Sequence, residues 1–265
     1  MTLKGKNRFT FMLSIFFLGL SIFFLVYFIL KMNAESQSAL GAANSIAFTS
    51  SAWTAIFSSF CLMAFVPVAA FFAYSHFIKT PSMEIVYFML FLLGCSTGLL
   101  RLFALFETTS GTFPVSYVLF GRTAFWGRLL CFASLFMVAV AGMPDQRVNV
   151  EQNIFIVLIF SLTLAKFVPI NTLEFAQDFS LGDEARWLLI FFCAMAALLT
   201  AATHSLKAWQ SENNAHYSLA IDTLIMEAGL VLLTSCKTLV AAIIGGAILI
   251  AGTFRYMGVL HRLYM

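Results

Sequence analysis

A single all-α transmembrane bundle of about eight spans, with both termini in the cytoplasm, is the fold class this sequence predicts, and three observations predict it. Hydrophobic residues make up 61% of the chain and charged residues 10%, at a mean hydropathy of +0.94. The apolar residues gather into eight runs, each close to the ~20 residues a helix needs to cross a hydrocarbon core of ~30 Å. Between those runs no segment is long enough to fold as a soluble domain, so residues 1–265 read as one transmembrane unit.

The first run, 9–32, follows Lys4, Lys6 and Arg8 and has the outline of a signal peptide. It is longer than the roughly 7 to 15 residues of a signal h-region, so it is read as an uncleaved helix. Cleavage near the small residues Ala39, Gly41 and Ala42 is the alternative. The second run, 53–77, contains Pro67, which predicts a kink. In the third, 85–106, Gly94 and Gly98 stand at the small-xxx-small spacing that lets backbones approach closely. The fourth is read as 124–143, with an earlier start near Pro114 as the alternative, because Val115 to Phe120 is itself apolar. Runs 154–170 and 187–206 follow. The last two, 218–234 and 239–257, are separated by a segment without Gly or Pro, so a single long helix, giving seven crossings, is their rival. In the last run Ala241 with Gly245, Ala242 with Gly246, and Ala247 with Ala251 repeat the small-residue spacing.

Basic residues set the orientation. With the N-terminus cytoplasmic, Lys4, Lys6, Arg8, Lys79, Arg147, Lys207, Arg255 and Arg262 fall on that side, against Lys31, Arg186 and Lys237 opposite. The positive-inside rule therefore predicts cytoplasmic termini and a multi-pass protein of the plasma (inner) membrane. Two longer exterior segments result. Segment 33–51 reads as a flexible connector, and 171–186 as an acidic loop with Glu174, Asp178, Asp183 and Glu184. Phe175 and Phe179 at i,i+4 spacing make a short surface helix the alternative there.

Composition also excludes. A net charge of +3 with no basic stripe interleaved with aromatics predicts no nucleic-acid partner. Cys61, Cys95, Cys131, Cys193 and Cys236 lie in or at the rim of apolar runs without Cys-x-x-Cys spacing, so they read as small hydrophobes rather than disulfides or metal ligands. His76, His204, His216 and His261 show no metal spacing and are expected as solvated imidazoles near the cytoplasmic face. No metal and no other cofactor is predicted. No nucleophile elbow, zinc-protease motif or phosphate loop occurs, so an enzyme is the least favoured class.

What remains is ionisable groups inside apolar runs, each costing ~2.5 to 3.5 kcal/mol on insertion scales. Lys166 and Arg101 lie near run ends and can reach the interface by snorkelling. Arg122 and Arg128, six residues apart, point ~120° from one another on a helix. Glu227 sits near the middle of its run, where a short carboxylate must be protonated, paired or wet. An Arg128 to Glu227 ion pair that fixes helix register is one expectation, and Asp222, nearer the cytoplasm, is expected to be reached by water. In the exterior half Arg101, Arg122, Arg128 and Lys166 outnumber Glu227, and this surplus of positive charge predicts a bound small anion or anionic lipid. Binding or transport of that ligand is the leading function. A sensor or assembly subunit, acting through a protein partner at its cytoplasmic face, is the alternative.

Overall fold

The computed structural model of the chain describes residues 2–39, 50–80, 82–103, 115–141, 149–167, 186–235 and 238–264. Among the described residues there are eight long helices and no strand: α1 Leu3–Ala39, α2 Ser50–Phe77, α3 Glu84–Thr97, α4 Val115–Ala141, α5 Val150–Phe167, α6 Arg186–Ser211, α7 Ala215–Ser235 and α8 Leu239–Leu263. A 3-10 turn, Gly98–Leu100, carries α3 onward, so that Glu84–Phe103 is a candidate span of 20 residues. All eight are long and apolar enough to cross a membrane. The acidic segment with Glu174, Asp178, Asp183, Glu184, Phe175 and Phe179 lies outside the described residues, as do most of the 33–51 connector, Pro114, Arg147, Lys237 and Cys236.

Several helices outrun the apolar stretches that announce them, because a helix does not stop where hydropathy does. α1 includes Lys4, Lys6 and Arg8, and α6 continues past Leu206 through Lys207 and Ala208 to Ser211; Lys, Arg and Ala are strong helix formers. α4 begins at Val115, the earlier of the two expected starts, so Arg122 and Arg128 both lie within it. α2 runs through Pro67 as one helix.

Side-chain contacts at both ends show the helices running up and down. At the end that carries both termini, here called proximal, Lys6 of α1 meets Phe77 O and Thr80 O at the close of α2. At the opposite, distal end, Arg128 of α4 meets Thr234 O at the close of α7. The antiparallel pairing is tightest between α7 and α8. A Cβ on Gly229 would fall 2.5 Å from Leu249 N, and one on Gly245 would fall 2.5 Å from Leu233 N, so only hydrogen fits at either place. This hairpin overturns the rival of one continuous helix through the last two runs.

α3 is the central helix. Every residue from Glu84 to Thr97 except Leu93 is buried, and the helix packs on α1, α2 and α4. Gly94 accounts for its closeness to α4, since a Cβ there would lie 2.5 Å from Gly127 O and 2.6 Å from Cys131 Sγ. The α7 and α8 pair closes the other side, where α8 packs on α2 and α7 on α6. The small residues of α8 divide by face: Ala242, Gly245 and Gly246 are buried, whereas Ala247 and Ala251 point outward, contrary to the expectation for that pair. α5 packs on α4 alone among the stronger helix pairs and exposes Phe155, Ile156, Ile159, Phe160 and Leu162. α1 likewise turns Phe11, Phe16, Ile22 and Phe23 outward. Apolar outer faces on a bundle of this length are what acyl chains require.

Candidate functional site

At the distal end the structure gathers three of the five expected ionisable residues and leaves two outside. Lys166, in the last turn of α5, and Arg122 of α4 are exposed. Arg101 is not a snorkelling residue: it is 5% exposed and its Nη1 donates to Ser58 Oγ of α2 at 3.2 Å. Arg128 is half-buried and its Nη2 donates to Thr234 O at 3.3 Å. That carbonyl belongs to the last turn of α7, where unsatisfied C=O groups carry the negative end of the helix dipole. Between the two arginines lies a cavity of about 20 Å³, lined by Gly94, Thr97, Cys131 and Thr234 among others; it has room for about one water.

Arg128 also stands at the edge of a much larger space. A cleft of about 550 Å³ opens between α4, α6 and α7, with Phe132, Ile190, Cys193, Ala197, Leu224 and Val231 among its walls and Arg128, Glu227, Thr234 and Ser235 as polar lining. Ile190, Leu224 and Val231 on its rim are 47%, 40% and 42% exposed, so the opening faces sideways between helices rather than toward either end. A second, almost wholly apolar groove of about 470 Å³ lies on the other face of α6, against α4 and α5, and shares Phe132 and Cys193 with the first. Its polar lining residue Ser161 is held by Trp126 Nε1 at 2.9 Å.

The expected Arg128 to Glu227 ion pair is absent. Glu227 is 3% exposed and neither carboxyl oxygen has a hydrogen-bond partner, while the guanidinium turns to the α7 carbonyl instead. Helix direction explains the choice: Thr234 lies two turns beyond Glu227 on α7, nearer the level of Arg128, and a helix-end carbonyl is a ready acceptor.

The proximal end holds a second polar cluster that sequence reasoning largely missed. Glu84, at the start of α3, is 5% exposed and accepts a hydrogen bond from Ser82 Oγ at 3.0 Å. Lys207 of α6 and Tyr264 lie close enough to interact with its carboxyl. Burial, with the Glu84 carboxyl beside it, pushes the Tyr264 phenol above the ordinary tyrosine range, so it stays a neutral donor. His204, expected as solvated, is 1% exposed with both ring nitrogens unpartnered, and Lys207 is 3% exposed with its Nζ unpartnered. Asp222, expected to be wet, is fully buried and pairs with Arg255 Nε of α8 at 3.1 Å. His76 does lie at the surface, stacked on Phe72 at 3.9 Å and edge-on to His261 at 5.8 Å. One sequence signal pointed here. Cys193, Thr200, His204 and Lys207 recur at helical spacing on α6, interleaved with Ala197, and so share one stripe.

Cys95 and Cys131 approach to 3.7 Å between their sulfurs as free thiols in the α3 and α4 interface. Among the described residues no group of three or more His, Cys, Asp or Glu is placed to hold a metal ion. No family model, no curated protein and no solved structure matches this chain.

Proposed function

We propose that this is a multi-pass protein of the plasma (inner) membrane, with cytoplasmic termini, that binds or transports an amphiphilic anion in the distal, exterior half of its bundle. One observation carries the reading: the cleft between α4, α6 and α7 has apolar walls, a lateral opening and at its polar end Arg128, which among the described residues bonds the Thr234 carbonyl rather than the Glu227 carboxyl that lines the same cleft. Its volume lies within the ~300 to 1,000 Å³ of small-molecule sites. A guanidinium fork suits a carboxylate or phosphate, and it can exchange a carbonyl for an anion at modest cost. The sideways opening favours a ligand arriving from the acyl-chain layer, with its tail along Phe132, Leu224 and Val231, over an anion arriving from water. Arg101 lines the small cavity at the same end.

Native mass spectra of the protein extracted in mild detergent, wild type against Arg128→Gln, test this. The reading predicts an anionic lipid or fatty-acid-like species held by the wild type and lost from the variant. An anion retained equally by both, or by neither, removes it. A stoichiometric protein partner held by both, with no anion, makes the chain a sensor or assembly subunit instead.

A further inference from the structure

Two facing stripes on α6 and α7 join the proximal cluster to the distal cleft. On α6 the stripe is Lys207, His204, Thr200, Ala197 and Cys193; on α7 it is His216, Thr223 and Glu227, spaced 7 and 4 residues apart. Both spacings keep one helix face, and α6 and α7 pack together through a short turn at Glu212 to Asn214. The two stripes meet at each end: His204 and Lys207 lie within electrostatic reach of His216, and Cys193 lines one cleft with Glu227 and Arg128. Measured from the turn at 1.5 Å per residue, Lys207 lies ~6 Å deep, His204 ~10 Å and Glu227 ~18 Å.

Lys207, His204, Thr200, Thr223 and Glu227 are buried, Cys193, Ala197 and His216 are half-buried, and several ionisable atoms of the stripes have no hydrogen-bond partner among the described residues. Thr200 and Thr223 are fully buried, and both hydroxyls donate to their own helix, to Ala196 O at 2.7 Å and Ala220 O at 2.9 Å, which leaves their oxygens free to accept. The unpartnered atoms are the ring nitrogens of His204, Lys207 Nζ, His216 Nδ1 and both oxygens of Glu227. Buried polar groups without partners call for an explanation, and at successive depths along one interface bound water and exchangeable protons supply one. Carboxyl and imidazole groups inside a span mark such relays.

We propose that the interface of α6 and α7 is a proton path, along which Glu227 takes up and releases a proton from the proximal end. The proton enters at Lys207 and His216, and one ring nitrogen of His204 accepts it while the other gives its N–H proton onward. Glu227 goes from carboxylate to carboxylic acid, with no bond between heavy atoms made or broken. The charged and titratable groups around the path are Glu84 of α3 beside Lys207, Asp222 of α7 with Arg255 and Tyr256 of α8, and Arg128 of α4 with Cys193 of α6 at the Glu227 end. The unpaired, buried state of Glu227 is that of the neutral acid. The proposal stands on the stripes and does not require a ligand in the cleft.

Infrared difference spectra of the whole protein in a lipid film test it as the film is switched from H2O to D2O. The expected result is a protonated-carboxyl band at neutral pH in the wild type that is lost in Glu227→Gln. Its deuterium shift is expected to slow on the order of tenfold in His204→Phe, the effect of losing one hydrogen-bonded step. Thr200→Val, nearly isosteric, is expected to slow it in the same direction and serves if the larger ring does not fold. A wild type without the band, a band kept in Glu227→Gln, or exchange at the wild-type rate in both path variants would each overturn the proposal.

Discussion

At the scale of the residue, the positions of the cations decide what each one does. Lys6 shares its run of basic neighbours with Lys4, and in the sequence both are orientation charges. In the folded chain Lys6 is 1% exposed, donating to Phe77 O at 2.7 Å and to Thr80 O, while Lys4 is exposed. Lys6 thus closes the C-terminus of α2, which has no glycine cap of its own. Hydrogen bonds from a charged donor contribute about 1.5 to 3 kcal/mol each, so Lys6→Met is expected to destabilise the protein by at least that much. Lys4→Met should stay within about 0.5 kcal/mol. Thermal unfolding in detergent measures the difference; equal midpoints would deny Lys6 its clamp. None of this was legible in the sequence, because a cap donated by one helix to another exists only once the two are paired. The same reason hid Glu84 and the burial of His204, whereas Glu227 was legible from its position in mid-run alone.

At the scale of the element, close approach is set by glycine. Gly127 of α4 has no room at all for a Cβ, which would fall on Thr97 Oγ1 and 2.8 Å from Gly94 O, and Gly229 and Gly245 meet backbone across the α7 and α8 hairpin. Gly258 near the end of α8 has nothing within 4 Å of the same atom. Gly127→Ala and Gly229→Ala are therefore expected to cost about 1 to 3 kcal/mol each through forced separation of helices. Gly258→Ala should be neutral or slightly stabilising through helix propensity. Chemical denaturation of the three variants checks the ranking, and a Gly258→Ala as damaging as Gly127→Ala would contradict it. Here the sequence was informative where spacing alone decides: Gly94 of α3, Gly98 of the 3-10 turn that follows it and Gly245 of α8 were marked by their four-residue repeats. It misled at Ala247 and Ala251, because a repeat reveals a small-residue face without saying which side of the helix meets a neighbour.

At the scale of the whole molecule, the eight long helices among the described residues were legible because apolar length is a strong signal, and the open boundary between the last two runs was settled by packing rather than by a turn residue. The charge rule predicts that a reporter fused after Met265 is active only on the cytoplasmic side. Exterior activity would invert the bundle and move the cleft to the inner leaflet. The distal cleft was only half legible: the sequence placed Arg101, Arg122, Arg128 and Lys166 together in one half of the bundle, but burial and contact, not charge, separate Arg101 and Arg128 from the outward Arg122 and Lys166. The most direct measurement is photo-crosslinking of the membrane-embedded protein with a diazirine-bearing fatty acid, followed by mapping of the labelled residues. Ligand binding in the cleft predicts labelling concentrated on the cleft-facing parts of α4, α6 and α7, including the neighbourhood of Cys193 and Leu224, and its loss in Arg128→Gln. Labelling confined to the outer faces of α1 and α5, unchanged by the substitution, would contradict it.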